Sequence, residues 1–468
     1  MTENSVQVSI TINVAEEDLQ YQKEIPIEDL EEVVEALTRE MGQKVLKASL
    51  KVIDDQTSKK VPKGWRNVGS ETRQIISSLG AVSYKRRIYL DGENRRRKPV
   101  DELIGIERYG RASSRVQVMG SYLACTGTYR MAAEQLSWLL KTPICHSTIQ
   151  RMVWTVGNRI VDGEEAERRR IFETGAEVEA GQIEAPVLYG ESDGVWVHLQ
   201  REAQKSIEVR VAILSSGKKL IGKDRYRLEN KCKITSIGLN SEAWQEQILR
   251  TAHQVYNLAN TKMLITGGDG NQWVRHSFDR LDIRQEFVLD YFHLKRAAKR
   301  ALRDKSQAEE LVNLVRSQGF EAVEEELIAK IGKAEGKQAQ KLKEFYRYLH
   351  NNRDVLLDLE HRGVLHPACL GAMEGNVDKL VVHRMKGRGC SWRLPGLRAM
   401  LALCRYRDEL GKHAYHFLPV EIPAKSRHQN MSLCKDDSEV INKPMPVFSG
   451  PFRNNPWVIS LFRYTHGR

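Results

Sequence analysis

Between Ile27 and Leu46 apolar residues recur every three or four positions, at Leu30, Val34, Leu37, Met41 and Val45. This spacing predicts a helix with one apolar stripe, suited to packing on the next domain or on a second subunit. A short Val/Ile alternation from Val6 to Val14 precedes it. Further on, Ile75-Ile76 and the run Val82, Tyr84, Ile88, Tyr89 flank Gly80, and Asp91-Gly92 adds a turn signal, so a two-stranded ribbon is expected. Residues 111–155 read as helices: Met131 to Leu140, a break at Lys141-Thr142-Pro143-Ile144-Cys145, and a helix resuming at His146.

From about residue 183 the pattern turns to strands. Pro186 to Tyr189 and Val195 to Leu199 flank Asp193, Ile207 to Leu214 alternates, and a weaker strand falls between Arg225 and Ile237. A helix from Glu242 to about Leu258 follows, then strands at Met263–Thr266 and Glu286–Leu289. Three strands, a helix, then two strands around a helix is the element order of a ribonuclease H-like fold, a mixed α/β class. Residues 295–365 are helical and heavily charged and read as an insertion into it. The division expected is an N-terminal helical segment (1–60), a ribbon and helical pair (61–165), a catalytic domain (183–415) and a tail (416–468). The last 50 residues carry six prolines, which suits a wrapping tail rather than a domain.

A chain of 468 residues exceeds what one core usually organises. With 41% hydrophobic and 29% charged residues it is ordinary globular protein, without an 18-residue apolar span or a secretory start at Met1-Thr2-Glu3-Asn4. A cytoplasmic protein with no membrane partner is expected. Seven cysteines form no CxxC pair, which argues against a zinc ribbon or a disulfide framework. The net charge of +12 changes the picture more, because an excess of Lys and Arg favours a polyanionic partner.

That excess is concentrated. The ribbon carries Arg86 and Arg87, then Arg96 and Arg97, beside its tyrosines, a composition that suits a nucleic-acid backbone as well as a charge-protected sheet edge. The helical pair resembles a helix-turn-helix, in which the start of the second helix meets base edges, here His146, Ser147, Thr148, Gln150 and Arg151. An ordinary helical hairpin has the same apolar pattern.

Candidate chemistry lies in the acids. Asp193 sits in Glu191-Ser192-Asp193-Gly194 between two strand-like runs, and Asp269 ends a strand in Gly267-Gly268-Asp269-Gly270. A two-metal phosphoryl-transfer site needs carboxylates converging from different elements, and small neighbours leave room for a DNA backbone. Asp290 of Asp290-Tyr291-Phe292-His293 suits a helix N-cap, and His293 a supporting role. Glu374 opens a helix, a position the macrodipole alone favours. Beyond it, Arg384, Lys386 and Arg388 form a cationic loop suited to phosphates. Trp392 suits stacking on an unpaired base or a place in the core.

Together these residues resemble the ISLre-type insertion-sequence transposases of bacteria, over roughly residues 70–410. The likeness is carried by Leu79-Gly80-Ala81-Val82 with Tyr84 and Arg86, and by Ser192-Asp193-Gly194. It continues through Gly267-Gly268-Asp269-Gly270-Asn271-Gln272-Trp273, Leu289 to Lys295, Glu374-Gly375-Asn376-Val377, and Arg384 to Gly389 with Ser391-Trp392. The resemblance implies a DDE transposase with catalytic, metal-binding Asp193, Asp269 and Glu374. It implies two Mg²⁺ ions, with Mn²⁺ able to substitute, and double-stranded DNA (element ends and target) bound by a homo-oligomer. Asp290 is the alternative middle ligand. Fold order favours Asp269, whose strand is expected beside that of Asp193. Two other readings share these carboxylates: a ribonuclease H-like nuclease without strand transfer, and a non-enzymatic DNA-binding protein derived from a transposase.

Overall fold

The computed structural model describes residues 27–106, 110–223, 225–364 and 370–415. The alternation at Val6–Val14 and the tail at 416–468 lie outside the described residues. Helix α1 (Ile27–Ser58) runs beyond the expected end. Leu50 is buried against the ribbon, with Leu46 and Ile53 packed beside it, whereas Val34, Met41 and Val45 of the predicted stripe are exposed.

The ribbon is a three-stranded antiparallel sheet, β1 (Arg66–Ser77), β2 (Gly80–Leu90) and the short β3 (Arg96–Arg97). Its hairpin closes at Ser77↔Gly80, where Gly80 takes φ +99°, a value that favours glycine. Helices α2 (Pro99–Leu103), α3 (Ser114–Thr126), α4 (Tyr129–Leu140) and α5 (His146–Phe172) follow. Ser113 and Thr128 cap α3 and α4 by accepting from Val116 N and Met131 N. Lys141, in the left-handed region at φ 48°, ends α4 and starts the break before α5.

The central sheet contains β4 (Val187–His198), β5 (Ser206–Ser215), β8 (Cys232–Ile237), β9 (Met263–Gly268) and β10 (Gln285–Leu289). Their spatial order is β10-β9-β4-β5-β8. β4, β5 and β8 pair antiparallel, whereas β9 and β10 run parallel to β4. The weak strand expected between Arg225 and Ile237 is two: β7 (Arg225–Glu229) pairs with β6 (Gly217–Gly222) in a separate ribbon, and β8 joins the sheet. Helix α6 (Ser241–Val255) crosses from β8 to β9, and the one-turn α7 (Gln272–Arg275) lies between β9 and β10.

Both faces of this sheet are covered, which explains its continuous apolar runs. Val195, Val197, Val209 and Val211 face α5, the helical turns after residue 373 and α13 (Leu394–Arg405). Leu188, Leu214, Ile234 and Leu264 face Trp244, Ile248 and Ala252 of α6. Each such side chain contributes about 1.5–3 kcal/mol by leaving water. The helical insertion is α8 (Tyr291–Leu302), α9 (Lys305–Gln318), α10 (Glu321–Lys333) and α11 (Gly336–Asn351), with its own core around Leu294, Val312, Val315, Leu327 and Phe345. Helix α12 (Met373–Val377) continues through wider π-type turns over Asp378–Lys386, and α14 (Arg407–Tyr415) ends the described chain. Among the described residues no helix is long and apolar enough to cross a membrane.

Candidate active site

Asp193 lies inside β4, opposite Val211 of β5. Residues alternate between faces along a strand, so Glu191, Asp193, Val195 and Val197 share one face of β4. The parallel neighbour β9 ends at Gly268 and delivers Asp269 beyond its carboxyl end; β10 ends at Leu289 and delivers Asp290. Glu374 comes from the exposed start of α12. All four acids and His293 line one cleft of about 730 Å³, together with Glu191, Asp358 and Asp378.

Several contacts hold this arrangement. Ser277 Oγ receives hydrogen bonds from Trp244 Nε1 (3.0 Å) and Ser192 Oγ (3.2 Å) and itself donates to Trp273 O, pinning α7 beneath β4. Gly268 must be glycine here, because a Cβ would stand 2.2 Å from Val274 Cγ1 and 3.0 Å from Ser192 O. The glycine before Asp269 thus makes room for the protein's own packing. Asp269 accepts from Asn271 N (2.9 Å) and Asn271 Nδ2 (2.5 Å), and Tyr348 Oη of α11 donates to its carbonyl at 3.0 Å. The insertion therefore buttresses the second acid. Asp290 caps α8, accepting from Phe292 N at 2.7 Å, the structural role its sequence context suits.

Sequence reasoning missed Glu191. Its carboxylate is buried, and it accepts Gly371 N at 2.9 Å and Ala372 N at 3.1 Å. Both oxygens therefore grip the chain entering α12, and fix Glu374 relative to Asp193. The legible signal was an acid two positions before Asp193 on the same face of an apolar strand.

The electrostatics are those of crowded anions. Burial pushes the Asp193 carboxyl above its ordinary value; the Gly194 N–H and His293 oppose this, while the charges of Asp269 and Asp290 reinforce it. Burial likewise raises Glu191 against the pull of the Gly371, Ala372 and Met373 N–H groups. The Tyr348 phenol is pushed up by burial and by Asp269 and Asp290. His293 Nδ1 is buried without a hydrogen-bond partner among the described residues. Oxygen donors of this kind suit a hard divalent cation, which would relieve their repulsion. Among the described residues, however, no three His, Cys, Asp or Glu side chains are gathered tightly enough to hold one ion.

The expected DNA contacts divide. His146, Ser147, Gln150 and Arg151 are exposed at the start of α5, and Thr148 is half-buried. Arg86 is instead internal, at 5% exposure, paired with Asp101 and Glu71. Arg87 pairs with Asp54 and Asp55, and Arg97 pairs with Glu102 while lying over Trp65. Arg96 is exposed. Of the loop after Glu374, Lys386 is exposed, and the Arg388 side chain lies outside what the structure describes. Arg384 is buried between Tyr129 and Trp392, and its Nε donates to Ala124 O, so it joins α3 and α4 to the core rather than gripping a strand. Trp392 is a core residue whose Nε1 donates to Met385 O.

Comparison with known proteins agrees with a single family over most of this frame. A protein of Streptococcus gallolyticus described as "UPF0236 protein in vanSb 3′region" is 25% identical over 388 residues, covering 81% of this chain and 82% of that protein. The model of an uncharacterised protein family, UPF0236, matches residues 20–413, a span that takes in the ribbon, the sheet, the helical insertion and every acid of the cleft. The chain belongs to the UPF0236 family.

Proposed function

We propose that this protein is a DNA transposase of the DDE type, acting in the cytoplasm on the ends of an insertion sequence. The observation that carries the reading is the shared cleft: Asp193, Asp269 and Glu374 arrive there from a central strand, its parallel neighbour and a later helix. The sheet order β8-β5-β4-β9-β10, antiparallel and then parallel, is the order expected of a ribonuclease H-like core, and it supports the same reading. It also favours Asp269 over Asp290 as the middle acid, since β9 pairs directly with β4 and β10 does not.

Asp193, Asp269 and Glu374 are the residues that would hold two Mg²⁺ ions, or Mn²⁺, once drawn closer together than they stand in this structure. Bound there, the ions would activate a water and offset the charge on the leaving 3′-oxygen. Glu191 keeps Glu374 in place, Tyr348 and Asn271 hold the Asp269 turn, and Asp290 fixes the start of the helix carrying His293. The unpartnered His293 Nδ1 is available to a phosphate oxygen or to a ligating carboxylate. The exposed start of α5 suits recognition of duplex DNA, and the exposed apolar stripe of α1 suits contact between copies.

The test is to incubate the protein with labelled element-end DNA, a target plasmid and Mg²⁺. Joined product is expected, and Asp193→Asn should lower it by roughly 10⁴-fold or more. Cleavage without joining would instead indicate a nuclease, and retention of DNA without cleavage a binding protein. Full activity of Asp269→Asn alongside an inactive Asp290→Asn would overturn the choice of middle acid.

A further inference from the structure

A second groove, of about 620 Å³, lies where the start of α5 meets the loop after β4 and the segment before α13. Its composition is the reverse of the cleft's. No Asp or Glu lines it, while Arg201, Arg393, His146 and Gln150 do. Arg201 and Arg393 are exposed, and neither forms an ion pair among the described residues. Other arginines, among them Arg86, Arg87, Arg250 and Arg280, are paired with carboxylates. Glu202, the acid beside Arg201, is already engaged in accepting Leu394 N at 3.1 Å.

A second observation is independent of charge. The indole nitrogen of Trp154, which lines the same groove, is buried and has no acceptor among the described residues. A buried N–H without a partner is rare in folded proteins and marks a place for an acceptor. The walls are firm: Trp392 N donates to His198 O, Gln200 N to Trp392 O, and Gln200 Nε2 to Ser391 O. These bonds tie the end of β4 to the segment before α13. The groove therefore offers cationic and neutral donors on a rigid floor and no anion, the complement of a polymer of phosphodiesters.

We propose that this groove holds the phosphate backbone of DNA between α5 and the catalytic sheet. Arg201 and Arg393 take successive phosphates, Trp154 donates to an oxygen of the same strand, and His146 and Gln150 meet its bases. The inference rests on the DNA reading above, and adds to it two cations from outside α5 and an α5 indole beyond the residues singled out from sequence.

The experiment is anisotropy of labelled duplex DNA against salt, on the full chain. Each phosphate contact contributes about 0.9 to the slope of log K against log salt. Arg201→Ala/Arg393→Ala should therefore lower the slope by about 2 and weaken all sequences equally. Arg201→Lys/Arg393→Lys should restore most of it, and Trp154→Phe should weaken binding at unchanged slope. Gln150→Ala should instead narrow the difference between preferred and unrelated sequences. An unchanged slope in the double alanine variant, with wild type binding DNA, overturns the groove alone. Failure of wild type to bind DNA in a salt-dependent way overturns the DNA reading with it. Displacement of DNA by inorganic phosphate at matched ionic strength would make the groove a small-anion pocket and overturn the proposal.

Discussion

The ribbon β1–β3 and the cleft beneath β4 are both dense in charge, and they treat it in opposite ways. Against the ribbon, Asp101 of α2 is 3% exposed and receives Arg73 Nη1 at 2.5 Å, Tyr84 Oη at 2.6 Å and Arg86. The charges of Arg73, Arg86 and Arg87 are thus matched inside the protein, while Arg96 stays exposed. In the cleft, seven carboxylates face two arginines, and one of those, Arg316, is paired with Asp358. Charges that are matched hold a fold together; charges left unmatched on a rigid frame are available to a ligand. The density of charge in a segment therefore says less about function than whether its partners lie within the same molecule.

Three substitutions put that contrast at risk. The largest effect is expected from Asp101→Asn, which leaves Arg73 and Arg86 buried with a neutral partner; it should cost about 3–5 kcal/mol in denaturant unfolding and speed amide exchange in β1 and β2. A loss below about 1 kcal/mol would mean that the ribbon's arginines do not depend on Asp101. Glu191→Ala is intermediate, because Glu191 is a cleft acid with partners: about 1–3 kcal/mol of stability should go with the two freed N–H groups. Amide exchange at Gly371 and Ala372 should rise, and DNA cleavage should fall about 100-fold as Glu374 loses its position. Unchanged exchange at those two amides would remove Glu191 from any positioning role.

Asp193→Asn gives the smallest change in stability and the opposite sign. The folded protein raises the Asp193 carboxyl, so ionisation destabilises it; the penalty is complete above the raised value and is lost as pH falls through the ordinary 3.8. The Asn variant should thus be more stable at pH 7 by roughly 0.5–2 kcal/mol, with no gain near pH 3, while its activity is lost. A destabilised Asn variant at pH 7 would show that Asp193 serves the fold, and the contrast between the two regions would collapse.

Much of the frame was legible in the residues. The alternation from Ile207 to Leu214 and the apolar runs around Asp193 marked the strands of a mixed α/β fold, and Pro143 with its neighbours marked the break before α5. The charged helical stretch read at 295–365 overlaps α8 to α11, which begin earlier, at Tyr291, and end at Asn351. The fate of the arginines was not legible. Arg73 meets Asp101 across 28 positions and Arg87 meets Asp54 across 33, and no local pattern announces such pairs. Arg384 is further still from Ala124, at 260 positions, so a loop that reads as cationic contains a buried strut. Glu191 escaped notice because its partners are backbone N–H groups, which carry no sequence signature.

By itself the sequence determined most of the elements and the chain order of the acids, because periodicity and short motifs are properties of neighbours along the chain. Only the tertiary structure decided which charges are free. Burial and pairing depend on residues brought together from distant segments, and a carboxylate or guanidinium changes its role entirely according to whether such a partner is present. That is why the four acids and His293 meet in one cleft, why Arg86 and Arg384 turn inward, and why Arg201 and Arg393 are left facing solvent.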